Sequence, residues 1–164
     1  MERIADNNYS EVIGEAFRLL PPALEVELRY VHFLTGVDPI YAGLHDSIAI
    51  GDGRSFRNTA HVVFGRYEVG KQERTTIVLP LLADGCLVTI IHELGHCLDE
   101  LLRFEHMAVP VNIYAETNRM EAFAEAFTAE YFWLGDEEED IFQSDKSTRV
   151  LFEQLARGQI CLTQ

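Results

Sequence analysis

Apolar residues recur at helical spacing over residues 9–20 and again over 22–34, with Pro21 and Pro22 between the two runs. That pattern predicts two helices broken at the proline pair. The rhythm changes from 47 to 82. SIAIGDG (47–53), AHVVFGRYE (60–68) and RTTIVLPLL (74–82) are short and rich in β-branched or aromatic residues, which predicts a small sheet with EVGKQE (68–73) as a hairpin turn. Helical spacing returns over 87–104, 118–134 and 147–157. The first two of these flank a loop at 105–116 that contains Pro110; Asn118 or Thr117 is the expected N-cap of the second, and Gly158 stops the third. With no repeat, linker or low-complexity tract, residues 1–164 are expected to form one α+β domain.

Composition narrows the function classes. Of 164 residues 48% are apolar, yet no uninterrupted apolar window is long enough for a membrane-spanning helix. The opening MERIADNNYSEVIGEAF has no apolar segment of the signal-peptide kind, so cytoplasmic residence is the default expectation, with later delivery outside the cell left open. The net charge of −14 argues against nucleic acid, whose phosphates would be repelled. The densest acidic block, GDEEED at 135–140, reads as a solvated loop. Cys86, Cys97 and Cys161 are odd in number and contain no CxxC pair, which favours reduced, packed thiols over a disulfide framework.

The chemistry concentrates in HELGHCLDE, residues 92–100. At about 100° per residue His92, His96, Asp99, Arg103, Thr89, Glu100 and Glu93 share a sector of roughly 120°. An ordinary amphipathic helix with a wet polar side would show the same pattern. The residue types favour a site: two histidines four apart can reach one ion, and the glutamate after the first lies beside that ion as a general base to a zinc-bound water. HExxH arises by accident in on the order of one such chain in a few hundred, so context has to decide. The following helix, NRMEAFAEAFTAEYFWL, is apolar around most of its circumference and carries Glu121 and Glu125 one turn apart. Burying both carboxylates would be costly without a cation to compensate them. Their directions differ by only about 40°, so spacing alone lets either coordinate, whereas Glu130 falls on the far side. Gly95 would let a second backbone approach the first helix closely. His32, His45, His61 and His106 lack ligand spacing.

HELGHCLDE, followed after a loop by YAETNRMEAFAEAF, resembles the gluzincin metallopeptidases, most closely the family of the anthrax lethal factor catalytic domain and its Pro-Pro endopeptidase relatives. Tyr114, Thr117, Asn118, Glu121, Phe123, Ala124, Glu125, Ala126 and Phe127 stand at that family's spacings, and Asp99 matches the first aspartate after its HExxH. The likeness covers about residues 75–130. It implies a zincin-like fold and one Zn²⁺ per chain held by His92, His96 and Glu121. Glu93 would be the general base. Tyr114 would hydrogen-bond the oxyanion or the leaving nitrogen, and Glu125 and Asp99 would accept the other ring N–H of a ligand histidine. An extended peptide or protein substrate would lie along the strand from Thr75 to Pro80. The implied activity is that of a zinc metalloendopeptidase. Alternatives are a repressor-cleaving protease of a stress or mobile-element circuit, and a catalytically silent zinc-containing binding module. A peptide-deformylase reading fits poorly, because Cys86 lies only a short way before His92 and off its side of the helix.

Overall fold

Pro22 occupies the first position of the second helix, where its missing N–H leaves no bond unmade, so the proline pair separates α1 (Asn7–Leu19) from α2 (Pro22–Leu28) as expected. α2 ends well short of residue 34. His32–Thr35 is strand β1 instead, with Val31 and Phe33 buried and His32 between them only partly so. An apolar run this short satisfies either period, and pairing with a neighbouring strand decided it. The computed structural model describes residues 7–35, 48–49, 54–55, 60–65, 67–68, 71–72, 74–79, 87–132 and 145–160. Cys86, Cys161, His45, Pro80 and the acidic block 135–140 lie outside them.

The sheet is small. Ile48–Ala49 (β2) pairs antiparallel with Arg54–Ser55 (β3), and Tyr67–Glu68 (β5) with Lys71–Gln72 (β6), the second pair in the hairpin position expected. The main sheet has three strands, with Thr76–Leu79 (β7) in the middle. β1 runs parallel to β7 with His32 opposite Thr76, and β4 (His61–Val63) runs antiparallel to it with Val62 opposite Ile77. This order corrects one expectation. Ladders on both sides consume the backbone edges of β7, and Thr75 is buried with its hydroxyl bonded to Gly65 N and Glu100, so the described part of the 74–82 strand has no edge to offer a peptide.

Helix α3 (Leu87–Leu101) ends three residues before the expected 104. Arg103 and Phe104 both adopt left-handed φ, 60° and 57°, and the Phe104 N–H closes the helix on Asp99 O at 2.9 Å. Such a conformation costs a non-glycine residue roughly 1–2 kcal/mol. Packing holds it, since the Phe104 ring meets Phe64 edge-on at 5.2 Å and the Arg119 guanidinium at 5.8 Å. α4 (Arg119–Tyr131) starts where Asn118 Oδ1 accepts the Glu121 N–H, and α5 (Lys146–Ala156) is capped by Asp145 and followed by Gly158 at φ 69°. α4 is clamped between α3 and α5. Phe123 and Phe127 are fully buried, both ring-to-ring with Phe152 of α5. On the other side a Cβ at Gly95 would stand 3.1 Å from both Ala124 Cα and Phe127 Cβ, so any other residue would need this helix crossing to give by a few tenths of an ångström. Among the described residues no helix is long and apolar enough to cross a membrane.

Candidate metal centre

The polar side of α3 is not wet. Glu93 and His96 are buried and Asp99 is wholly so, because α4 lies across them. Three ionisable groups enclosed on one helix face need compensation from somewhere nearby.

α4 brings it to Asp99 through Arg119, but to His92 and His96 it brings acid. Glu121 Oε1 stands 2.9 Å from His92 Nε2 and 3.3 Å from His96 Nε2, so the two imidazoles and one carboxylate converge. Their donor atoms lie within 4.8 Å of one another, and this group could hold a metal ion. Ligands at zinc–donor distances of about 2.0–2.1 Å in a tetrahedron are roughly 3.3 Å apart, and both contacts of Glu121 are close to that spacing. The two glutamates that sequence spacing leaves equivalent take different places here. Glu125 Oε2 meets the other nitrogen of His92, Nδ1, at 2.6 Å, away from the convergence point.

Charge around His92 is one-sided. Burial works to lower its pKa, but the bonds to Glu121 and Glu125 and the field of Glu93 override this and raise it to about 10. Reciprocally, although burial would raise both glutamates, their contacts with the histidines hold Glu121 and Glu125 below the ordinary carboxylate range. A proton on His92 is thus what the pair of acids demands when no metal is bound, and a divalent cation satisfies the same demand more fully.

An outer layer fixes these groups. Asn112 donates to Glu125 Oε1 at 2.7 Å and accepts the Ala115 N–H with its own oxygen, so Glu125 is held from both ends. Arg119 donates to Asp99 Oδ2 at 2.5 Å and to His106 O at 2.6 Å, tying α3 to the connecting loop. Asp99 is therefore paired with Arg119 and not with a histidine. Burial still raises its carboxyl against the pull of that arginine. Its Oδ1 and the Nδ1 of His96 are both buried and without a hydrogen-bond partner among the described residues. Neither Asn112 nor Arg119 stood out in the sequence; Arg119 had one overlooked signal, a lone cation opening a helix otherwise acidic and apolar.

A cleft of about 430 Å³ opens onto the group. His92, Glu93, His96, Glu121 and Glu125 lie on one side, and Ala60, Val62 and Phe64 of the β4 segment on the other. Tyr114, 43% exposed at the start of a single 3-10 turn (Tyr114–Thr117), also lines it, its ring 5.9 Å from that of His92. Glu130 is exposed and does not line the cleft, as helical geometry required. Cys97 is buried on the apolar side, where desolvation raises its thiol pKa.

Comparison with protein-family models, curated proteins and solved structures gives no match, so the reading of this centre stands on its own residues.

Proposed function

We propose that the chain is a zinc metallopeptidase of gluzincin type and zincin-like fold, with His92, His96 and Glu121 as ligands and Glu93 as general base. The observation that carries this is the convergence of three ligand atoms of the right kinds beside a buried glutamate, at the floor of an open cleft. Zinc bound there would supply Lewis acidity toward water and a peptide carbonyl. Glu93 takes the proton of the attacking water and returns it to the leaving amine. Tyr114, on the rim, reaches the developing oxyanion or the leaving nitrogen with its hydroxyl. Glu125, braced by Asn112, holds the imidazole of His92 in one tautomer. The substrate would be an extended peptide. Since β7 is internal, the strand that can receive it is β4, which pairs on one side only among the described residues and whose Val62 faces the cleft.

Elemental analysis of the purified protein should give about one zinc per chain. Digestion of a peptide library, read by mass spectrometry, should show cuts that disappear in Glu93→Gln while its zinc remains. Absence of zinc, with no uptake after stripping by a chelator, overturns the assignment. Zinc without any cleavage would make the chain a metal-holding binding module instead.

A further inference from the structure

A second groove, sharing no residue with the cleft, lies between α1, α2 and the start of β1, with a volume of about 540 Å³. Its size is within the roughly 300–1,000 Å³ of ligand sites. Ile13, Phe17, Val31 and Phe33 give it an apolar floor, Phe17 packing edge-on against Phe33 at 6.1 Å. Its charged rim is unlike the rest of the chain. Arg18, Arg29 and Arg74 border it with Glu25 as the lone acid, in a protein whose net charge is −14.

Among the described residues only Arg29 of these three meets an acid. Arg74 directs Nε and Nη2 at the carbonyl of Tyr30, 3.0 and 2.6 Å away. A neutral carbonyl fixes the direction of the guanidinium without cancelling its charge, and leaves three of its five N–H groups to give. Arg18 lies back along its own helix over Gly14, where a Cβ would be 3.4 Å from Nη1, and makes no hydrogen bond or ion pair among the described residues. Arg29 meets Glu25 at 3.3 Å, but both are well exposed, and such i,i+4 pairs contribute little and exchange readily.

We propose that this groove binds an acidic peptide segment, its carboxylates on Arg18 and Arg74 and an apolar side chain on the floor that Phe17 and Phe33 help to form. Guanidinium forks match carboxylates in a bidentate manner, and the fixed fork of Arg74 loses little freedom on binding. Recognition here must be short-ranged. The acidic remainder of the surface repels an anionic peptide at a distance, but at physiological salt that field is screened beyond about 8 Å, whereas contact with the guanidinium groups is not.

The test uses the full chain and a capped hexapeptide, Glu-Glu-Leu-Phe-Glu-Glu, in titration calorimetry, with Lys-Lys-Leu-Phe-Lys-Lys and Glu-Glu-Ser-Gly-Glu-Glu as controls. Saturable binding of the first is expected, at least about tenfold tighter than either control. Arg18→Glu, at an exposed position, should weaken it by about tenfold, and Arg74→Lys, which keeps the charge and loses the fork, by a smaller factor. Glu93→Gln and zinc removal should leave it within about twofold, which separates this groove from the cleft. No saturation up to about 1 mM peptide, equal binding of the lysine peptide, or an affinity indifferent to Arg18→Glu in a variant that melts like wild type would each overturn the proposal.

Discussion

His92 meets acids directly and His106 reaches one only through a hydroxyl, and the two arrangements are built to opposite ends. His106 Nε2 meets the fully buried Thr148 hydroxyl at 2.8 Å, which donates in turn to Asp145 Oδ1 at 2.7 Å. Asp145 also accepts from Val109 N, Ser147 Oγ and Thr148 N, so both its oxygens are used and one negative charge is spread over short local bonds. That array is closed, and it fastens α5 to the loop that leads to Tyr114. His92 sits among Glu93, Glu121 and Glu125, acids from two helices that face a cleft, and the raised pKa of His92 offers them one positive charge. That array is short of positive charge. A histidine linked to an acid is thus weak grounds for a metal; surplus carboxylate facing open space is the distinguishing property.

The contrast breaks most decisively at Glu121. Glu121→Gln should lower zinc affinity by more than the roughly 100-fold ceiling of an outer partner, measured by competition with a chelator, while Asp145→Ala should leave it unchanged. Loss of zinc in both would mean that the closed array also governs the centre. Glu125→Gln should weaken zinc by about 10–100-fold, because the His92 tautomer is released but the ligand stays. If Glu125→Gln lost the metal outright and Glu121→Gln kept it, the register of α4 against α3 would have to be revised. The smallest effect belongs to the closed array: Asp145→Ala should cost about 1 kcal/mol of stability at neutral pH, the usual loss for an N-cap. Its sign with pH follows from the shift. Although slight burial pushes the other way, the bonds from Ser147, Thr148 and Val109 hold the folded carboxyl below its ordinary range. Its contribution is therefore complete above the unfolded pKa of about 3.9 and shrinks as pH falls from there toward the lower folded value. Denaturant melts of both proteins from neutral to acid pH should converge on that schedule. A gap as wide at the acid limit as at neutrality would show that the charged cap is not the source.

Both arrays bear on what a sequence reveals. The helices α3 and α4 and the histidine pair were legible because their geometry is local: four residues make one turn, and Asn118 announces its own helix. The choice between Glu121 and Glu125 was not, since it depends on how far α4 is rotated toward α3. Strand order was invisible for the same reason. RTTIVLPLL reads as a strand whether it is at an edge or in the middle, and only the parallel pairing with His32–Thr35, itself hidden in an apolar run of either period, put it inside. Asn112 and Arg119 act on side chains far away in sequence, so no spacing rule could have marked them.

The crossing at Gly95 bears on which ion the proposed centre would select. The distance between the histidine pair and Glu121 is set by how closely α4 rests on α3, and that closeness depends on the absence of one methyl group. Zinc–donor bonds of about 2.0–2.1 Å and calcium–oxygen bonds of 2.3–2.6 Å differ by only a few tenths of an ångström. A Cβ at 3.1 Å from two fixed neighbours would drive the helices apart by a similar increment. Gly95→Ala should accordingly lose affinity for Zn²⁺ more than for a larger cation such as Cd²⁺. Titrating both metals into wild type and variant reads that ratio, and an unchanged ratio in a folded variant would mean that the ligands adjust independently of the helices that carry them.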